Sequence, residues 1–129
     1  LGLENIVTLA GHVTDPIPFL SCADLFVLCS RFEGMSNAML EALYCGVPVL
    51  ATNNRENSAD EFIIDGKNGF LVPACTVEQI TQGLLRALDK FWVLDKSWIC
   101  RDAKDRFSLA RYEEGYIDVF ERLCFPLIH

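Results

Sequence analysis

The chain has 129 residues, enough for one domain with a single hydrophobic core and too few for two well-developed domains. Its formal net charge is −7, and its 11 basic residues are spread along the sequence rather than gathered into a patch. This distribution argues against nucleic acid or an anionic membrane surface as the main partner.

The longest purely apolar run, from Leu25 to Cys29, is far shorter than the roughly 20 residues that a membrane-spanning helix needs. No signal peptide is predicted either, because no basic segment followed by an apolar one stands at the N-terminus. We therefore expect a soluble, cytoplasmic chain.

Six cysteines are present, but no two have the Cys-x-x-Cys spacing and four lie inside apolar segments. They are therefore interpreted as reduced thiols in a packed interior, and no metal site is predicted.

Four short apolar segments predict buried strands, at residues 6–10, 25–29, 47–51 and 69–72. Helical patterns alternate with them, at residues 16–23, 37–44, 59–64 and 77–88. This alternation predicts βαβ units and an α/β fold, a Rossmann-like parallel sheet flanked by helices. Four strands are few for a doubly wound fold, so we expect further strands upstream.

The helix predicted over 77–88 has apolar residues on one side: Val77, Ile80, Leu84, Leu85 and Leu88. Beyond residue 88 the pattern is entirely helical, over 103–107 and 112–123. The last helix is expected to direct apolar residues toward the core: Tyr116, Ile117, Val119, Phe120 and Leu123. We therefore interpret residues 1–129 as one domain, with an α/β part over 1–88 and a helical tail over 89–129.

Ser36 is a good N-cap for the helix that opens at Asn37, and the loop before it leaves the carboxyl end of a predicted parallel strand. Ligands of open α/β sheets bind outside those strand ends, and a helix N-terminus offers free N–H groups to a phosphate. Gly34 allows the backbone to approach an anion closely. The pattern predicts an anion site here.

Glu41 lies four residues beyond Asn37 and projects from the same helix face. Its two carboxylate oxygens could accept hydrogen bonds from adjacent hydroxyls such as those of a ribose, while Glu33 would face another part of the ligand. The spacing alone decides nothing, because Glu113 and Glu121 repeat it on a predicted solvated face.

The context of these two glutamates is more specific. Residues 23–49 contain the run Ser30-Arg31-Phe32-Glu33-Gly34-Met35-Ser36-Asn37, which leads to Glu41, and residues 7–12 and 64–72 extend the pattern on both sides. From about residue 1 to residue 88 the chain resembles the C-terminal, donor-binding domain of GT-B-fold glycosyltransferases of family 4 (group 1).

This resemblance implies a retaining hexosyl or other glycosyltransferase that uses a UDP- or GDP-sugar donor and needs neither a metal nor another cofactor. It assigns Glu33 to the hydroxyls of the donor sugar, as the catalytic residue, and Glu41 to the ribose. Backbone amides would meet the sugar and diphosphate at Gly34, Met35, Ser36 and Asn37. The loop of Gly11, His12 and Val13 would lie beside the base, and Arg31 is the nearest cation.

The resemblance also implies a glycan or lipid-linked acceptor, bound by an N-terminal domain that this chain lacks. The isolated domain is therefore expected to be inactive. The full-length protein is expected to serve polysaccharide biosynthesis in the cytoplasm or peripherally at the cytoplasmic face of the membrane.

One departure from the family pattern leaves an alternative open. After the third predicted strand, members often have Gly-Gly before a further glutamate, whereas this chain reads Thr52-Asn53-Asn54-Arg55-Glu56. A non-catalytic nucleotide-binding or structural module derived from the same fold is the alternative. A Rossmann dehydrogenase is disfavoured because Gly-x-Gly-x-x-Gly is absent, and a receiver domain because acidic clusters at the strand ends are absent.

Overall fold

The computed structural model describes residues 2–33, 36–53 and 58–124, which contain a three-stranded parallel sheet. The strands are β1 (Phe26–Leu28), β2 (Val49–Thr52) and β3 (Gly69–Val72), in the order β1-β2-β3. Phe26 pairs with Val49, and Val49 pairs with Gly69. Three of the four predicted strands are therefore confirmed, as is the parallel arrangement.

The strand predicted over residues 6–10 is wrong. Ile6 is 79% exposed and Leu9 is 93% exposed, and the N–H groups of Ile6 and Val7 donate to the carbonyl of Leu3 in a turn. A β-branched run becomes a strand only when a neighbour completes its hydrogen-bond ladder and covers one of its faces. Within the described part of the chain, no strand pairs with these residues.

Helices follow the strands as the alternating pattern predicts. They are α1 (Ile17–Ser21), α2 (Asn37–Tyr44), α3 (Ala59–Phe62), α4 (Val77–Lys90), α5 (Lys96–Arg106) and α6 (Leu109–Cys124). A 3₁₀ turn, Phe91–Val93, joins α4 to α5.

The sheet is covered on both faces, and the side chains of β2 show how. Val49 and Ala51 belong to a core cluster with Met39 and Leu43 of α2, and Ile99 of α5 completes it. Leu50 points to the opposite face, into a second cluster formed by Phe70, Val72 and Ala87 of α4. Because successive side chains of a strand alternate between faces, β2 is buried along its whole length.

The predicted apolar side of α4 is partly wrong. Val77 is 84% exposed, and Leu85 and Leu88 are also exposed, whereas the buried positions are Gly83 and Ala87. Small residues at these two positions allow the helix axis to approach the sheet closely. Ile80 and Leu84 of the predicted set are half-buried, and Leu84 packs against the second cluster. The prediction missed Gly83 and Ala87 because small residues carry little hydrophobic signal.

The last predicted helix exists, but its predicted orientation is wrong. The apolar side chains expected in the core are each more than half exposed: Tyr116, Ile117, Val119, Phe120 and Leu123. Local contacts accompany the helix instead, including the rings of Tyr112 and Tyr116 at 5.7 Å and an ion pair between Arg122 and Asp118.

Helix α5 belongs to the core and fastens the elements around it. The hydroxyl of Tyr44 donates to the carbonyl of Phe107 over 2.9 Å, and the thiol of Cys100 donates to the carbonyl of Tyr44 over 3.0 Å. Arg106 donates to the carbonyls of Glu61 over 2.6 Å and Phe62 over 3.2 Å. Helix α5 therefore holds both α2 and the end of α3.

A set of hydrogen bonds to Asp65 joins the turn before β3 to α4. Arg86 donates to both carboxylate oxygens of Asp65 over 2.7 and 3.1 Å, and the N–H of Leu71 donates to Asp65 over 2.9 Å. Partial burial acts to raise the pKa of Asp65, but these hydrogen bonds and the positive charges of Arg86 and Lys90 outweigh it and hold the pKa below its usual value.

Replacement of Gly83 tests the close approach of α4 to the sheet. A Cβ at this position would overlap Cγ1 of Val72 and lie 3.2 Å from Cδ1 of Leu50, so Gly83→Ala should lower the free energy of unfolding by about 1–3 kcal/mol. Gly115→Ala on exposed α6 is the control, because its Cβ would meet nothing within 4 Å, and it should stabilise the protein by up to about 1 kcal/mol. Urea unfolding of both variants measures the difference. A Gly83→Ala protein as stable as wild type would contradict the packing.

Candidate functional site

The loop after β1 leads to the N-terminus of α2, as predicted. Ser36 has extended backbone angles (φ −85°, ψ 107°), and its hydroxyl accepts from the N–H of Met39 over 3.5 Å. The helix begins at Asn37, so the predicted cap and helix start are both confirmed. Ser36 is only 3% exposed, which places the cap inside the packed structure.

The first turn of α2 carries no acidic residue. Helix α4 has Glu78 in its first turn, and α3 has both Asp60 and Glu61. Acidic side chains at these positions offset the partial positive charge of a helix N-terminus. The first turn of α2 therefore does not offset the partial positive charge of its N-terminus. Asn37, the first residue of the helix, is exposed.

A small cavity of about 10 Å³, with room for about one water molecule, lies at the carboxyl ends of β1 and β2. Its walls come from both strands, the loop after β1, α2 and α3: Leu28, Ser30, Glu33, Met39, Ala51, Thr52 and Ala59. Glu33 is half-buried in this wall. The structure thus brings Glu33 to the sheet edge where ligands of α/β folds bind.

Glu41 is half-buried one turn into α2, four residues beyond Asn37. Glu33 and Glu41 are therefore presented by different pieces of backbone, a loop and a helix. Glu33 lines the cavity, whereas Glu41 does not.

The other predicted site residues lie in more exposed surroundings. Gly11 has a φ of 68°, a value that favours glycine, and both Gly11 and His12 are exposed. Val13 is half-buried, and Arg31 is exposed in the loop after β1. Among the residues that the structure describes, these four are not part of the cavity wall.

Some predicted features lie outside the described residues. They are Gly34 and Met35 of the site, and residues 54–57 of the loop that differs from the family pattern. Before that loop, the N–H of Asn53 donates to the carbonyl of Val72 over 2.7 Å.

Two residues that the sequence did not single out for the site contact the loop after β1. The hydroxyl of Thr52 donates to the carbonyl of Ser30 over 2.6 Å, and the thiol of Cys75 donates to the carbonyl of Cys29 over 2.9 Å. Burial, and then the neighbouring Cys75, raises the pKa of the Cys29 thiol. A polar residue at the end of the otherwise apolar β2 is the sequence signal that could have identified Thr52.

The described residues contain neither a cluster of metal ligands nor a helix that could cross a membrane. No group of three or more His, Cys, Asp and Glu side chains there could hold a metal ion. No helix there combines the length and the apolar character needed to cross a membrane.

Comparison with known proteins assigns the chain to a family. Residues 1–90 match the family model described as glycosyl transferases group 1. The chain belongs to the group 1 glycosyl transferases. Its fold is the Rossmann-like domain of GT-B enzymes, as the resemblance implied.

Two curated relatives illustrate the range of this family. The lipopolysaccharide core biosynthesis glycosyltransferase LpsE of Rhizobium meliloti is 36% identical over 126 residues, which cover 92% of this chain and 35% of that protein. The GDP-mannose-dependent phosphatidylinositol monomannoside mannosyltransferase of Mycolicibacterium smegmatis is 30% identical over 122 residues, covering 78% of this chain and 31% of that protein. The chain thus spans about a third of the length of these relatives.

Among solved structures, the Anabaena protein HepE is similar to this chain. Its complex with UDP superposes with a TM-score of 0.78 at 23% identity, covering 94% of this chain and 34% of HepE. Its complex with UDP-glucose gives a TM-score of 0.75 at 25% identity, covering 95% and 34%.

Removal of the cap tests the local construction of the site. Ser36→Ala removes the acceptor for the N–H of Met39 and should lower the free energy of unfolding by about 1 kcal/mol. Ser97→Ala is the control, because Ser97 is exposed in the first turn of α5 and Asp95 caps that helix. Its effect should stay within about 0.5 kcal/mol. Chemical denaturation measures the free energy of unfolding of both variants. A Ser36→Ala protein as stable as Ser97→Ala would argue against the cap.

Proposed function

We propose that this domain binds the nucleoside-diphosphate-sugar donor of a retaining glycosyltransferase that transfers the sugar to a glycan or lipid-linked acceptor. The observation that carries the proposal is the N-terminus of α2, which has no acidic residue in its first turn and lies with Glu33 at the carboxyl ends of β1 and β2. Family membership supports it.

The N-terminus of α2 is suited to the diphosphate. The N–H groups and the partial positive charge of a helix N-terminus attract an anion, and the backbone amides of Gly34, Met35, Ser36 and Asn37 are the proposed donors. Negative charge grows on the nucleoside diphosphate as the glycosidic bond breaks, so the same groups would stabilise the leaving group without a metal or other cofactor. Arg31 is the nearest cation on this loop.

The two glutamates divide the rest of the donor between them. In this proposal Glu33 accepts hydrogen bonds from the hydroxyls of the sugar, close to the reacting carbon, and Glu41 accepts from the ribose hydroxyls. Gly11, His12 and Val13 lie beside the base. The partial burial of both carboxylates strengthens such hydrogen bonds, because neighbouring protein displaces some of the competing water.

The named ligands of similar proteins support a nucleotide-sugar donor. HepE was crystallised with UDP-glucose, and the relative from M. smegmatis is GDP-mannose-dependent. The donor proposed for this chain is therefore a uridine or guanosine diphosphate sugar.

The acceptor is proposed to bind a second domain of the full-length protein, in the cytoplasm or at the cytoplasmic face of the membrane. Closure of two domains around the donor would exclude water and bring the acceptor to the sugar. The isolated chain is therefore proposed to bind a donor without transferring its sugar.

Calorimetric titration of the chain with UDP and GDP tests the donor site. One nucleotide should bind, and Glu41→Ala should weaken it about 10- to 100-fold, since a charge-assisted hydrogen bond contributes roughly 1.5–3 kcal/mol. Glu113→Ala, on exposed α6, is the matched control and should bind like wild type. If neither nucleotide binds, the donor-site proposal fails and a structural module is favoured.

A charge introduced at Asn37 separates anion binding from helix stability. Asn37→Asp places a carboxylate in the first turn of α2, which should preserve or slightly increase stability through the helix dipole. The same charge repels a diphosphate, so affinity for UDP or GDP should fall about 10-fold or more. Val77→Asp makes the equivalent change at the first residue of α4, where Val77 is also exposed, and should leave affinity unchanged. Equal affinities of the two variants would contradict a diphosphate at α2.

A further inference from the structure

Thr52 is a buried polar residue at the end of β2 that neither the family motif nor the proposed donor contacts account for. It is 1% exposed, and its hydroxyl donates to the carbonyl of Ser30 over 2.6 Å. Thr52 and Ser30 both line the cavity whose wall includes Glu33. A buried hydroxyl needs a hydrogen-bond partner, so this contact is part of how the site is built.

The contact holds the chain just beyond the sheet. The pairing of β1 with β2 runs from Phe26 to Leu28, and Leu28 pairs with Ala51. Ser30 lies two residues past that register, where the Thr52 side chain provides a bond to its carbonyl. The preceding carbonyl, of Cys29, accepts from the thiol of Cys75. Two successive peptide groups are thus fixed by side chains from other elements.

The orientation of these two peptide groups determines the path of the loop that follows, up to Glu33. Glu33 comes three residues after Ser30, and Ser30 and Glu33 face the same cavity. Helix α2, by contrast, has its own cap at Ser36 and its own packing against the sheet and α5. A change at the carbonyl of Ser30 should therefore displace Glu33 more than Glu41.

We infer that Thr52 is a positioning residue, which sets the loop that presents Glu33 to the sugar of the donor. This inference rests on the proposed function and extends it. Because Thr52 acts through Glu33, its loss should weaken recognition of the sugar and leave recognition of the nucleotide largely intact. The relevant quantity is the ratio of the affinities for a nucleotide sugar and for the bare nucleotide.

The experiment measures that ratio by calorimetry, with UDP-glucose against UDP and GDP-mannose against GDP. Thr52→Val removes the hydroxyl at nearly constant volume and should lower the ratio about threefold to tenfold, the range expected for one neutral hydrogen bond. Affinity for the bare nucleotide should stay within about twofold, since the α2 contacts remain. Thr52→Ser keeps the hydroxyl and should restore the ratio.

A double-variant cycle shows whether Thr52 works through Glu33. Glu33→Gln alone should lower the ratio, and Thr52→Val should cause no further loss in the Glu33→Gln background. Thr81→Val is the matched control, because the exposed Thr81 donates its hydroxyl to the carbonyl of Val77 within α4, and its ratio should equal that of wild type. If Thr52→Val does not fold, Thr52→Ala removes the same hydroxyl without adding a methyl group in its place.

The outcomes distinguish the inference from the proposed function. A wild-type ratio in Thr52→Val, or additive losses in the double variant, would overturn the positioning role while leaving the donor site intact. Absence of binding by the wild-type chain to all four ligands would overturn the proposed function. In that case the backbone amide resonances of Ser30 to Glu33 decide the positioning role in the free protein. They should shift in Thr52→Val and not in Thr81→Val, and unchanged resonances would overturn it.

Discussion

The burial of β2 on both faces is the constraint on which the rest of the structure depends. Its four residues are all buried, so each face needs a layer of helices that matches it closely. Helices α2 and α5 cover the face of Val49 and Ala51, whereas α4 covers the face of Leu50. The candidate site lies where this strand ends, because the helices that cover the sheet also bring their termini to its carboxyl edge.

The layer beneath the site is held together mainly by bonds to backbone. Tyr44, Cys100 and Arg106 each donate to a main-chain carbonyl of another element, and these bonds join α5 to α2 and to the end of α3. Gly46 allows α2 to end close to the start of α5, since a Cβ there would lie 2.6 Å from the carbonyl oxygen of Lys96. These contacts hold the C-terminal end of α2, at Tyr44 and Gly46, and so restrict movement of the helix that carries the candidate site at its other end.

How much could be predicted from the sequence differed from element to element. Helix α2 was predicted to the residue, because Ser36 caps one end and the Cys45-Gly46 pair stops the other. The segment over 6–10 was mistaken for a strand because its pattern does not reveal whether a neighbour exists. On α4, the half-buried Ile80 and Leu84 were predicted on the packed side, but the buried Gly83 and Ala87 were missed because they carry little hydrophobic signal. The site motif was found through family resemblance, but the bond from Thr52 to Ser30 joins residues 22 positions apart and depends on sheet register.

Arg106 holds α3 through its backbone rather than through its side chains. Its guanidinium binds the carbonyls of Glu61 and Phe62, which every amino acid possesses, rather than their side chains. Changes of the exposed side chains Asp60 and Glu61 would therefore leave these two hydrogen bonds in place. The part of the cavity wall formed by Ala59 is thus held through main-chain contacts, independently of the side chains next to it in α3.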